Sequence, residues 1–289
     1  MSALASLSKG APTRPVLRWF GGKWRLAPWI ISHFPAHRVY VEPFGGAGSV
    51  LLRKDRAYAE VWNDLEGEVV NLFEVLRSDD GFQLVELIRL TPFSRTEFER
   101  AYRPTSDPFE RARRMVIRSF MGFGALGNSH QSTGFRANSN RSGTTPAHDW
   151  ASYPEALRRV VGRLVGVTIE NRDALDVMAQ HDSAGTLHYV DPPYMHDTRA
   201  DAKAHAYAHE MTDADHARLL AFLGDLKGMV VLSGYPHPLY DDALKGWQRV
   251  ERDALADGAR ERTEVLWISP ACSQALRAQS TPLFAGMAE

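Results

Sequence analysis

The apolar run "LHYV" (187–190) ends in "DPPY", and that ending constrains the fold more than any other feature of the chain. Two consecutive prolines carry no backbone N–H and cannot extend a sheet ladder. The strand predicted over this run therefore stops at Asp191, leaving a carboxylate at the carboxyl edge of a sheet. In open α/β sheets that edge is where ligands bind.

The rest of the chain tells which kind of sheet this is. "RVYVEPF" (38–44) and "YAEVWND" (58–64) read as strands, and "LEGEVVNLFEVLRS" (65–78) places Val69, Val70, Phe73 and Leu76 at helical spacing. The segment 79–163 breaks this alternation with arginine-rich helical stretches and a polar run, 121–150, rich in Gly, Ser, Asn and Thr. A polar loop of that length inside a compact chain is functional or disordered. Alternation then resumes with strands in "VGVTIEN", "LHYVDPPY", "MVVLSGY" and "TEVLWISP", and a helix over 212–226 with Thr212 or Asp213 as its N-cap. The expected fold is α/β, one mixed sheet in 16–78 and 164–285, with a helical, loop-rich domain inserted at 79–163. Residues 1–15 read as a flexible lead-in lacking the apolar core of a secretory signal.

Three stretches besides "DPPY" carry chemistry. "VEPFGGAGSV" (41–50) sets a glycine cluster between a strand and an expected helix, where glycine permits a tight turn and close approach of backbone to ligand. No G-K-[ST] follows, so it is not a phosphate loop. Glu42 before the turn suits a ligand bearing an ammonium or sulfonium group better than a pyrophosphate. Asp64, ending the second strand, is placed to accept from ribose hydroxyls, to cap the following helix, or both. "RWFGGKW" (18–24) by itself reads as a turn with a solvated lysine. In "DPPY", the Asp191 side chain and the Pro192 carbonyl form a rigid pair of acceptors. An exocyclic amine offers two N–H donors; accepting both enriches its nitrogen, so that the lone pair can attack a methyl group. Tyr194 adds a flat face for base stacking, worth roughly 1–3 kcal/mol.

Charge is unevenly spread. Residues 89–172 hold 14 arginines, no lysine and 7 acids, a surplus of seven positive charges in a chain whose net charge is −1. Such asymmetry marks a candidate polyanion-binding face, equally readable as a solvated helix and loop. The single cysteine, Cys272, excludes a disulfide within one chain, speaks against a thiolate zinc site, and fits a reducing cytoplasm. No apolar run reaches the roughly 18 residues of a membrane span.

"RWFGGK", "VEPFGGAGSV", "VWND" and "HYVDPPY", in that order, resemble the Dam-like alpha group of S-adenosylmethionine-dependent DNA adenine-N6 methyltransferases, from about residue 16 to about 270. The resemblance implies a Rossmann-like methyltransferase sheet carrying a target-recognition domain, and double-stranded DNA as partner. It implies cofactor contacts at Trp19, Lys23, Glu42, Pro43, Phe44, Gly46, Gly48 and Asp64, and a catalytic tetrapeptide Asp191, Pro192, Pro193 and Tyr194. Asp173 in "ENRDALD" resembles the acid near the target pocket and is grouped with the cofactor residues. Phe20 and Gly45 depart from the family's usual alanine and branched residue. The reaction implied is direct methyl transfer to adenine N6 on a flipped base, without metal or covalent intermediate. Within 79–163, Arg111, Arg113, Arg114 and Arg118 are candidates to hold phosphates, and Asn128, Arg136, Asn138, Asn140 and Arg141 to read base edges. The competing expectations are an RNA base-amine methyltransferase (adenine N6 or guanine N2) and an inactive DNA-binding relative. A palindromic target would be served by a monomer acting twice or by a homodimer.

Overall fold

The computed structural model describes residues 10–124, 134–140, 143–198, 209–255 and 261–280. Strands β1 (Val39–Glu42), β2 (Ala59–Asn63), β3 (Val167–Glu170), β4 (Thr186–Val190) and β5 (Met229–Gly234) pair in parallel. The hairpin β6 (Gln248–Leu255) and β7 (Glu261–Ile268) adds antiparallel to β5 through β7, giving the order β3-β2-β1-β4-β5-β7-β6. Between β1 and β4 the strand order reverses, the place where an open α/β sheet forms its crevice. The strand β6 had no counterpart among the expected elements: "QRVERDAL" is charged enough to read as surface, and it is an edge strand.

Both sheet faces are covered, and the strands show it residue by residue. Tyr40, Trp62, Leu187, Tyr189 and Val231 point into one apolar cluster; Val41, Val61, Val190, Val230 and Leu232 point into the other. The second cluster is closed by α7 (Ala174–His181), α8 (Asp213–Asp225) and α9 (Pro238–Ala243). The first is closed by α1 (Ala27–Ile31), α2 (Gly67–Arg77) and α10 (Pro270–Ser280). Four helices of the 79–163 segment also reach it: α3 (Gly81–Leu90), α4 (Arg95–Arg100), α5 (Pro108–Met121) and α6 (Pro146–Leu164). Their buried residues, Leu84, Ile88, Phe98, Val116, Tyr153 and Leu157 among them, belong to the same apolar cluster as Tyr40 and Trp62.

Three local expectations change. The glycine loop does not open a helix: residues 49–53 form turns, closed by Leu52 N to Gly48 O at 2.9 Å and Lys54 N to Val50 O at 3.0 Å. Between them Arg53 N donates to Val50 O at 3.1 Å, a three-residue bond that interrupts the helical series. The polar run ends before 150, because Thr145 caps α6 by accepting from His148 N and Pro146 occupies its first turn. The described end of the lead-in is anchored, with Arg14 Nη1 donating to the Asp149 carbonyl at 3.0 Å. Thr212 caps α8 in a reciprocal box with Asp215, as its sequence suggests. Among the described residues no helix is long and apolar enough to cross a membrane.

Candidate active site

The carboxyl ends of β1, β2 and β4 meet at one cavity of about 520 Å³, a volume ordinary for a small-molecule site. Its walls include Trp19, Lys23, Glu42, Phe44 and Gly46, and also Asp64, Asp173, Asp191, Pro192 and Pro193. The glycine loop and the proline corner, far apart in sequence, thus face a common space. Gly48 and Tyr194 stand just behind this wall: a Cβ on Gly48 would lie 3.1 Å from the Phe73 ring, and Tyr194 is buried beneath Lys23.

The loop's shape follows from its glycines. Gly46 and Gly48 take φ of +47° and +61°, where a side chain is strained. A Cβ on Gly45 would meet Trp62 Nε1 at 2.1 Å, and one on Gly46 would meet Trp19 Nε1 at 2.7 Å. Trp62 in turn stacks on Phe73 with centroids 4.0 Å apart. The branched residue expected at 45 is therefore excluded by the indole of β2. Asp64 pins the loop: its Oδ2 accepts from Gly46 N at 2.7 Å and its Oδ1 from Glu66 N at 2.8 Å. Burial holds the Asp64 carboxyl above its usual pKa, against the pull of those two amides. The capping role once open to Asp64 belongs to Glu66, which accepts from Glu68 N at the start of α2.

Glu42 is 2% exposed. Its Oε2 accepts from Tyr40 OH at 2.7 Å and from Leu51 N at 2.9 Å. Burial pushes its pKa up to about 8, with the charge of Asp191 adding to the rise. Lys23 is not solvated, as the stretch read alone would have it, but 5% exposed. Its Nζ pairs with Asp191 Oδ2 at 2.9 Å, donates to the Gly21 carbonyl at 2.8 Å and sits 4.6 Å from the centroid of the Tyr194 ring. Tyr194 OH donates to Glu264 Oε2 at 2.9 Å, and Tyr235 packs edge-on against its ring at 4.5 Å. Burial raises the pKa of both Tyr194 and Glu264. Asp173 caps α7, accepting from Leu175 N at 2.9 Å, while contributing to the cavity wall.

The arginines of α5 have internal partners. Arg111 pairs with Glu68, Arg113 with Glu97 and Glu110, and Arg114 with Glu110 and the Arg103 carbonyl. Arg118 donates to the Ala101 carbonyl at 2.8 Å and lines the cavity, its pKa lowered by burial. These guanidiniums are thus tied to α2, to the segment before α5 and to α5 itself. Arg136 donates to the Phe120 carbonyl at 3.1 Å; Asn138 and Asn140 are exposed, with Asn140 N donating to Asn138 Oδ1. Asn128 and Arg141 lie outside the described residues.

Several wall residues carried no sequence signal. Met115 comes from α5, His209, Glu210 and Met211 from the approach to α8, and Arg218 from α8 itself. Ser233, buried at the end of β5, donates to Asp191 Oδ1 at 2.7 Å. Only strand order reveals it, since β5 is the neighbour of β4.

Comparison with known proteins agrees with this geometry. The family model described as D12 class N6 adenine-specific DNA methyltransferase matches residues 19–255. The chain is 27% identical over 188 residues to the DNA adenine methylase of Escherichia coli (strain K12), covering 63% of this chain and 65% of that protein. It is 31% identical over 105 residues to the DNA adenine methylase of Serratia marcescens, covering 34% and 38%. The chain thus spans just under two thirds of the length of the Escherichia coli relative and 38% of the Serratia marcescens one.

Proposed function

The chain belongs to the D12 class of N6 adenine-specific DNA methyltransferases, and from that premise we propose that it methylates adenine N6 in duplex DNA, with S-adenosylmethionine as donor. One observation carries the reading: the Asp191–Pro192–Pro193 corner and the glycine loop at 45–47, with Glu42 and Asp64, border a single cavity. A methyl group can pass between them without leaving it.

The residues present fit that donor. Gly45 and Gly46 line the cavity, their missing Cβ atoms making room for the Trp62 and Trp19 indoles, Glu42 supplies a buried acid toward a cationic group, and Asp64 supplies acceptors at the end of β2. When bound there, S-adenosylmethionine supplies an electrophilic methyl on a sulfonium. The chain's own part is to hold the amine. Asp191 and the Pro192 carbonyl accept its two N–H groups and turn the lone pair toward the cavity, while Tyr194 supports the ring. An adenine stacked in duplex DNA cannot reach this corner, so it must be extruded, at a cost of a few kcal/mol.

We assign DNA reading to the 79–163 segment, with the exposed Asn138 and Asn140, and Arg136, as base-reading candidates. Its α5 arginines act as scaffold, leaving phosphate contacts to other residues. The experiment is transfer of tritiated methyl to duplex DNA and to structured RNA, followed by nucleoside analysis. N6-methyladenine in DNA is expected, and Asp191→Ala is expected to abolish it while cofactor affinity is largely kept. Label in RNA alone, or undiminished turnover by Asp191→Ala, refutes the assignment.

A further inference from the structure

The two oxygens of Asp191 are held in different ways. Oδ1 receives the Ser233 hydroxyl at 2.7 Å. Ser233 is 1% exposed and lies on β5, in register one step beyond the Val190–Leu232 pair, so strand pairing fixes its position. A serine hydroxyl has one hydrogen to give. The Val190 carbonyl is 3.5 Å away, so the carboxylate takes it. Tyr189 OH stands 3.1 Å from Ser233 Oγ, and burial keeps that phenol protonated, so Tyr189 donates to Ser233 and Ser233 donates onward. Both hydroxyls sit on central strands.

Oδ2 is held from outside the sheet. Lys23 is carried by the loop between Gly22 and α1, on a flexible four-carbon stem. Its ammonium presents N–H donors to Asp191 and positive charge to the face of Tyr194. These are the two contacts that a base bearing an amino group would make in the same place.

We propose that Ser233 is a positioning residue that locks Asp191 through Oδ1, so that Oδ2, where the Lys23 ammonium holds the seat, is the oxygen that receives the target amine. This rests on the role given to Asp191 above. Ser233 anchors and Lys23 yields: the entering base replaces the ammonium at Asp191 and over Tyr194, while the Ser233 bond stays intact.

The test is Ser233→Ala, which deletes one oxygen and adds no bulk, beside Ser233→Thr, which keeps the hydroxyl. In single-turnover transfer Ser233→Ala is expected to slow by about 10- to 100-fold, the worth of a hydrogen bond to a charged group. Its affinity for S-adenosylmethionine and for DNA should stay within about two-fold, and 2-aminopurine at the target position should still brighten on extrusion. Ser233→Thr should regain most of the rate. A Ser233→Ala rate within about two-fold of the unaltered protein overturns the inference. So does a parallel loss of rate, affinity and melting temperature that Ser233→Thr shares. An inactive unaltered protein would count against the proposed function instead. In that case a crystal structure of Ser233→Ala decides: a rotated Asp191 carboxylate supports the inference, and an unmoved one overturns it.

Discussion

Burial outweighs the hydrogen bonds and the Lys54 charge that favour ionised Glu42, and that has a consequence in pH. Its folded pKa of about 8 lies above the ordinary 4.5, so the folded chain holds the proton more tightly than the unfolded one. Its contribution to stability is therefore full below about 4.5 and is lost as pH rises through about 8. A cationic ligand reverses the preference, because it binds the ionised carboxylate and expels the proton. Affinity for S-adenosylmethionine is expected to rise by up to tenfold per unit from about pH 6 to about pH 8, with proton release, and Glu42→Gln to flatten the profile. Calorimetric titration in buffers of different ionisation enthalpy measures both; a flat profile in the unaltered protein removes Glu42 from the cationic subsite. Gly45 gives a second test at this scale. Its absent Cβ leaves room for the Trp62 indole, so Gly45→Ala should displace the Trp62–Phe73 stack, costing about 1–3 kcal/mol in urea unfolding and weakening the cofactor. Glu42 and Asp191 were legible because each ends a strand whose stop is written beside it in proline, and Asp64 because it closes the apolar run before a helical pattern. Ser233 and Glu264 were not, because nothing next to them says which strand they will neighbour.

At the scale of elements, α5 shows what a charge count leaves out. Its arginines crowd a span free of acids from 111 to 148, yet Glu110 beside it and Glu97 and Glu68 further upstream pair with them. Arg113 forks onto Glu97 and Glu110 with its side chain 13% exposed, and these hydrogen bonds raise its pKa against the effect of burial. Arg113→Met leaves two half-buried carboxylates without that partner and should cost about 2 kcal/mol of stability. The salt dependence of DNA binding should hardly change. Thermal unfolding and DNA titration at several salt concentrations separate the two effects; a flattened salt slope with unchanged stability would return α5 to the phosphates. Apolar runs located β1 to β5 and β7, and helical periodicity located α2 and α8, because the former are buried in the sheet and the latter bury one face. The short helix expected after the glycine loop, and the charged edge strand β6, obey local geometry rather than periodicity, and so were misread or missed.

The whole molecule depends on how firmly the 79–163 segment is joined to the sheet. Sequence alternation separates the two, but packing does not: α3 to α6 share one apolar cluster with β1 and β2. At the seam Arg163, ending α6, grips Glu60 of β2 through both nitrogens at 2.6 and 2.8 Å and the Leu51 carbonyl at 2.7 Å. Lys54 completes the cluster at 2.7 Å from Glu60. Burial works against ionisation of Glu60, yet its bonds to Arg163 and Lys54 prevail and hold its pKa below the usual range. The stability this acid contributes is present above its ordinary 4.5 and lost as pH falls through the lowered value. Arg163→Met should therefore cost about 3 kcal/mol at neutral pH and shift acid unfolding to higher pH. Because the seam is continuous core, scanning calorimetry should show one cooperative transition, moved as a unit by the substitution. Two transitions, with only one of them sensitive to Arg163, would mean that the inserted helices fold as a separate body. The cavity would then be assembled by docking rather than by folding.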